Sequence, residues 1–150
     1  MESKRISDSN KHLLQRIYDE VINEGNLNLI DELFAETFVE HEEFPGFPPT
    51  REGVKQFFTM FRTAFPDVTF EVEHMLGEGV FVAARARCHG THQGDWMGTP
   101  GSGRSVDVQV FDLVRFDGGL AVAHWGSFDA LLLMQQIGAI EPPPPPPPPA

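Results

Sequence analysis

Apolar and polar residues alternate most cleanly between Val106 and Phe116. The even positions are Val106, Val108, Val110, Asp112, Val114 and Phe116, and the odd ones are Asp107, Gln109, Phe111, Leu113 and Arg115. A strand sends successive side chains to opposite faces, so one face here is apolar except for a single carboxylate, Asp112. Two upstream segments share this period. Val68, Phe70, Val72 and His74 oppose Thr69, Glu71 and Glu73, and Val80, Val82, Ala84, Ala86 and Cys88 oppose Arg85, Arg87 and His89. Gly77–Gly79 reads as the turn between them. A glycine-rich loop, GDWMGTPGSGR, leads into the 106–116 strand, and Gly118–Gly119 turns that strand into another through Val122 and His124.

Before residue 66 the period is helical. Leu13, Leu14, Ile17, Val21 and Ile22 form one stripe, with Ser7, Asp8 and Ser9 as caps and Gly25 as the stop. Asn26 or Asn28 caps a short second helix carrying Leu29, Ile30, Leu33 and Phe34. The loop HEEFPGFPPT follows, and Thr50 caps a third helix through Val54, Phe57, Phe58, Phe61 and Phe65 that Pro66 ends. FDALLLMQQIG reads as a last helix. Helices first and half-apolar strands later predict an α+β domain with an antiparallel sheet covered on one face. The expected organisation is a flexible N-terminus over 1–9, one domain over 10–139 and a disordered polyproline tail over 140–150. The eight prolines of that tail span about 25 Å as a polyproline II rod.

Composition narrows the partners. A chain of 150 residues buries about 70% of its unfolded surface, enough for one core. Thirteen Phe against two Trp and one Tyr suggest an apolar interior or cavity. The net charge of −11 repels polyanions, so neither nucleic acid nor an anionic membrane is an expected partner. Cys88 is the single cysteine, which excludes an internal disulfide. With no apolar leader-type segment and no stretch of membrane-span length, the expected location is cytoplasmic.

Asp112 is the leading candidate for chemistry. A carboxyl among valines loses hydration, which disfavours its charged form and suits it to acid–base work near neutral pH. His124 is its natural partner. A three-residue loop, Asp117–Gly119, would set 112 opposite 124, whereas a two-residue Gly-Gly turn would set it opposite Trp125. By parity His92 and His74 also point inward, and His41 opens the Pro-rich loop, so one concavity lined by imidazoles is expected. Phe58, Phe61 and Trp96 are candidate walls. No HxH or HxxxH spacing suggests a metal, no GxSxG marks a nucleophile, and GTPGSGR lacks the GK[ST] of a phosphate loop.

THQGDWMGTPGSGRSV (91–106), FDLVRFDGG and HWGSFDALLLMQQIG, with REGVKQFFTMFRTAFPD and NEGN upstream, resemble the SnoaL-like polyketide cyclases, also called ester cyclases. The resemblance covers residues 10 to 139. It implies the nuclear transport factor 2-like cone, a curved antiparallel sheet with N-terminal helices enclosing a pocket, as in ketosteroid isomerase and scytalone dehydratase. In the aromatic polyketide cyclases an inward His on the penultimate strand pairs with an acid/base Asp on the last. Those positions are Asp112 and Gly126 here, so the cyclase acid/base is absent from its own place. Ketosteroid isomerase carries a protonated, oxyanion-binding Asp at the position matching Asp112. The resemblance also favours the register that brings Asp112 and His124 to one face.

Three functions follow as expectations. The first is a cofactor-independent acid–base enzyme that cyclises or isomerises a hydrophobic, oxygenated small molecule, polyketide- or terpenoid-like. His124 would be the base and Asp112 its orienter or a neutral donor, with His41, His92, His74, Phe58, Phe61 and Trp96 contacting substrate. The second is an epoxide-opening hydrolase or ether-forming cyclase, although Arg85, Arg87 and Arg115 all have outward parity. The third is a small-molecule binding protein. A homodimer or higher homo-oligomer is expected through the outward face bearing Phe81, Phe111 and Leu113.

Overall fold

The computed structural model describes residues 1–150. The apolar stripe of the first segment builds α1 (Glu2–Arg16), which runs on into a π-helical segment, Ile17–Asn23, and stops at Gly25, where φ is +77°. The helix thus begins at Glu2 and takes in residues 2–9, where a flexible end was expected. Ser7 and Asn10 are buried. A 3-10 turn (Leu27–Leu29) and a one-turn α2 (Ile30–Leu33) come next.

The chain then enters a strand that the hydrophobic pattern hid. In β1 (Phe34–Glu40) the buried residues are Phe34 and Phe38, four apart, so they prolong the helical stripe of Leu29, Ile30 and Leu33. The loop 41–50 leads to α3 (Arg51–Ala64). Its cap is as the sequence predicts, with the Gly53 amide donating to Thr50 Oγ1 at 3.2 Å.

The remaining strands are β2 (Thr69–Glu78), β3 (Phe81–Thr91), β4 (Ser105–Asp117) and β5 (Leu120–Phe128), followed by α4 (Ala130–Gln136). They form one curved, unclosed sheet in the order β1-β5-β4-β3-β2, antiparallel except for the β1–β5 pair. Its inner face carries Val82, Ala84, Ala86 and Cys88 of β3 and the even residues of β4, and α1 and α3 cover it. Gly77 of β2 lets α1 approach, since a Cβ there would strike Ser7 Oγ. Gln136 of α4 both accepts from the Asp107 amide and donates to its carbonyl, tying α4 to β4. Residues 141–150 form no helix or strand and are exposed. No helix is long and apolar enough to cross a membrane.

The β4–β5 hairpin has the two-residue turn of one alternative and the even register sum of the other, and it sets Asp112 opposite neither His124 nor Trp125. The turn has two residues, Gly118 and Gly119, both with positive φ, and Asp117 pairs with Leu120. A bulge then shifts the pairing between Arg115 and Phe116, with Arg115 opposite Ala123 and Phe116 opposite Ala121. One extra residue flips the parity beyond it. Val114 therefore faces His124, Asp112 faces Gly126, and Trp125 lies on the outer side opposite Leu113.

A second bulge, between Val72 and His74 on β2, has the opposite consequence for another candidate. It turns His74 to the exposed outer face, where Arg85 Nη2 lies 2.8 Å from its Nδ1. The inward placement of His74 is thereby overturned.

The loop that carries 41–50 is pinned to α3 by a close approach. A Cβ at Gly53 would collide with the Pro48 carbonyl, with backbone on both sides. Neither side can yield cheaply. Gly53→Ala is expected to cost about 1–3 kcal/mol, read as a lower melting temperature in a thermal scan.

Candidate functional site

Between the sheet, α1, α3 and the 41–50 loop lies a cavity of about 700 Å³. The sheet residues that floor it include Ala121, Cys88, Val108, Val110 and Val114, none of them aromatic. Phe57, Phe58 and Phe61 of α3 wall it, and Phe44 of the loop packs on Phe57 and Phe128. The lining includes four carboxylates, Glu40, Glu42, Glu43 and Asp112, two imidazoles, His41 and His124, and neither Lys nor Arg. Arg85 and Arg87 are on the outer face, near Gln109 and Asp107. Cys88 lines the cavity as an inert thiol, since burial, with the Asp107 charge adding, pushes its pKa up to about 12.

A chain of hydrogen bonds crosses one side of the cavity. Tyr18 Oη donates to Asp112 Oδ2 at 2.5 Å, and His124 Nε2 donates to Asp112 Oδ1 at 2.7 Å. His124 Nδ1 donates to Glu40 Oε1 at 2.6 Å, and the Glu42 amide donates to the same oxygen at 3.0 Å. Each member comes from a different place: Tyr18 from the π-helical segment, Asp112 from β4, His124 from β5 and Glu40 from the end of β1, where it pairs with His124. Asp112 and His124 thus come together on the inner face. The sequence reading missed Tyr18, Glu40 and Glu42. Glu40 was hidden because no strand was read between the second helix and the loop at 41, and Tyr18 because it sits in an apolar helical stripe.

The ring of His124 is enclosed on both nitrogens. Burial alone pushes its pKa down, but hydrogen bonds from Asp112 and Glu40, and their charges, outweigh it and carry it up to about 10. His124 is therefore an imidazolium at neutral pH, and no ring nitrogen is left to accept a proton. Burial, reinforced by Asp112, raises the pKa of Tyr18, which stays a phenol and a donor. Glu42 behaves differently. Its Oε2 is 4.0 Å from His124 Nδ1, and neither of its carboxyl oxygens is hydrogen bonded. Burial pushes its pKa up to about 7; the His124 cation pulls it down, and Asp112 and Glu40 add to the rise.

Glu40, Glu42 and His124 offer ligand-type atoms within 4.8 Å of one another. With both ring nitrogens of His124 bonded to carboxylates, the trio as it stands is an ion-pair network.

The other expected site residues fall elsewhere. Phe58 and Phe61 line the cavity, and His41 lines its mouth with its ring stacked on the outward Trp125, centroids 4.6 Å apart. His92 and Trp96 do not reach it. His92 is fully buried behind Phe65, where its Nδ1 accepts from the Ser102 amide at 3.1 Å and pins the 92–104 loop. Trp96 packs edge-on against Phe61 from behind. His92 has inward parity, but it follows the end of β3, where the alternation no longer governs direction.

Comparison with known proteins agrees with this architecture. The family model for SnoaL-like polyketide cyclases matches residues 12–137. A protein from Jannaschia sp. CCS1, assigned as a SnoaL-like polyketide cyclase, superposes with a TM-score of 0.82 at 26% identity, over 92% of this chain and 96% of that one. One from Bacillus cereus ATCC 10987, assigned as a polyketide cyclase, gives 0.78 at 30% identity over 88% and 82%. TsrD from Streptomyces laurentii gives 0.80 at 25% identity over 89% and 97%. No curated protein matches the chain.

Two of the shifted groups, His124 and Glu42, make stability depend on pH between about 4.5 and 10. His124 holds its proton to about pH 10 when folded and to about 6.5 when unfolded, so its contribution is full below 6.5 and is lost as pH rises through 10. Glu42 keeps its proton to about pH 7 when folded, against 4.5 unfolded, so its ionisation costs stability as pH rises from 4.5 through 7. Both slopes have the same sign, and denaturant midpoints are expected to fall steadily from pH 5 to pH 10. Glu42→Gln removes its share. That variant should match wild type near pH 4 and exceed it by about 2–3 kcal/mol at pH 8, as measured by urea titration.

Proposed function

The chain belongs to the SnoaL-like polyketide cyclase family, and from that premise we propose that it is an acid–base enzyme, needing no cofactor, that cyclises or isomerises an apolar, oxygenated small molecule of polyketide- or terpenoid-like shape. The observation that carries this reading is the Tyr18–Asp112–His124–Glu40 chain, set in a cavity lined mostly by apolar side chains. Buried charge is costly unless paired, and leaving one partner alone costs more. Such a network in a ligand-sized cavity is the pattern expected where protons are moved.

The chemistry follows from the charges. Removing a proton from carbon next to a carbonyl leaves negative charge on oxygen. His124 is the one cation in the lining, and with both N–H groups held by Asp112 and Glu40 it acts on such charge through space and not by a hydrogen bond. A neighbouring carboxylate takes the proton. The enolate then attacks a second carbonyl of the same molecule to close a ring, or is reprotonated elsewhere to isomerise it. The lining offers no Lys or Arg to hold an anionic substrate, so the reading is for a neutral molecule. The absence of Arg from the lining also disfavours an Asp–Arg–Asp epoxide hydrolase. The outer sheet face exposes Phe81, Phe111, Leu113 and Trp125 in one patch, which favours a homodimer through that face.

The site is tested with 2-tetralone, a neutral enolisable ketone, by following deuterium exchange of its α-hydrogens in D2O by NMR. Wild type is expected to accelerate exchange over buffer. Asp112→Asn should lose about 10²-fold or more while binding tetralone within a few-fold of wild type. A protein that binds the ketone and exchanges nothing is a binding protein, and the enzyme reading fails. Light scattering at micromolar concentration should give the mass of a dimer, and Trp125→Glu should shift it toward the monomer.

A further inference from the structure

We propose that Glu42 is the proton-transferring carboxyl of this cavity and that Gly126 is the gap in the sheet that seats it. The assignment rests on the reading of the cluster as an acid–base site and names the group that reading leaves open.

Three observations converge on it. First, every other ionisable group in the network is already engaged. Both nitrogens of His124 donate to carboxylates, both oxygens of Asp112 accept, and Glu40 Oε1 accepts twice. Protonating Asp112, or removing a proton from His124 or Tyr18, breaks a buried hydrogen bond, and in Glu40 only Oε2 is unbonded. The Glu42 carboxyl breaks none, because neither of its oxygens has a hydrogen-bond partner and its ion-pair contact with His124 is at 4.0 Å. Second, its position is built. The Glu42 amide is fixed on Glu40 Oε1, and its side chain folds back over β5. A Cβ placed at Gly126 would collide with Glu42 Oε2 and would lie 2.9 Å from its Cδ. The carboxyl fills the volume that a side chain at 126 would take, opposite Asp112 in the register. Third, it lines the cavity with its side chain 21% exposed, so it is dry enough to be perturbed and open enough to meet a ligand.

Its titration suits the task. The groups that face it are Glu40 from β1, Asp112 from β4, His124 from β5 and the loop neighbours His41 and Glu43, while α3 presents Gly53, Val54, Phe57 and Phe58. Burial and the two fixed carboxylates outweigh the pull of the imidazolium, and the pKa stands at about 7. A general base is most effective when its pKa lies near the working pH.

The test uses the Kemp elimination of 5-nitrobenzisoxazole, a flat neutral molecule. The base takes the C3 proton, the C–H electrons form the nitrile as the N–O bond breaks, and a coloured cyanonitrophenolate leaves. The carboxylic acid then returns its proton to water. For wild type, kcat/KM is expected to rise through one ionisation near pH 7 and then level. Glu42→Gln should lower the plateau by about 10²-fold or more and erase the inflection with little change in KM. Glu42→Asp should keep the inflection at a reduced rate, and Glu42→Ala combined with Gly126→Asp, which clears the space the new carboxyl needs, should regain at least about tenfold over Glu42→Ala alone. A Glu42→Gln protein with the rate and inflection of wild type overturns the assignment, as does a wild-type rate no higher than that of Glu42→Gln. Asp112→Asn is measured alongside. If it loses rate while Glu42→Gln does not, the site reading stands and Glu42 is the wrong group. If neither loses rate, both fall.

Discussion

One imidazolium held between two carboxylates organises this molecule. His124 joins Asp112 of β4 to Glu40 of β1, and through Asp112 it reaches Tyr18 on the N-terminal helix. Backbone pairing alone holds β1 poorly, because its ladder with β5 is interrupted between Phe34 and Val39. The charge bridge supplies the missing tie. A buried ion pair contributes little net stability compared with apolar packing, but breaking one strands a charge at about 3–5 kcal/mol. The network therefore acts less as glue than as a constraint on register. Only pairings that bring residues 40, 112 and 124 together are tolerated.

The bulge in the β4–β5 hairpin shows that constraint at work. A two-residue glycine turn fixes an odd pairing near the turn, which by itself would send His124 to the outer face. One added residue corrects the parity for the rest of the strand. The same correction sends Trp125 outward to stack on His41 and places Gly126, the smallest possible residue, on the inner face beside the network. Between the sheet and the large rings on α3 then lies an apolar cavity and not a filled core, and this raises the cost of ionising whatever carboxyl faces it.

Much of this was legible in the alternation of residues. The inner face of β3 and β4, the Thr50 cap and the pocket position of Asp112 follow from parity and capping chemistry alone. What failed did so for physical reasons. Two bulges reverse parity, and a bulge leaves no mark in a pattern of apolar and polar letters; one spoiled the reading of His74 and the other decided that of His124. Residues 34–40 form a strand although Phe34 and Phe38 are spaced like a helix, because β5 offers an edge to pair with, and a partner in space is invisible to local periodicity. His92 kept inward parity past the end of its strand, where direction is set by the loop hydrogen bonds to Ser102 and Arg104. Glu40 and Glu42 lie in and beside a segment read as loop, and only the closure of β1 on β5 reveals them as half-buried.

The division between fixed and titrating groups has a structural logic. A side chain whose every polar atom is bonded is well placed but cannot change protonation without losing a partner, so a saturated network can set an electric field but cannot carry proton traffic. The group that moves a proton must be held by something other than hydrogen bonds to its reactive atoms. Glu42 meets that condition through its backbone. Its loop is stiffened by Pro45, Pro48 and Pro49, anchored where Gly53 meets Pro48, and covered by Phe44 against Phe57 and Phe128. Proline limits the freedom of such a segment before it folds, and the aromatic contact fixes its height over the sheet. The carboxyl is thus positioned by packing and left free to ionise, while the network behind it supplies a field that does not change as it does so.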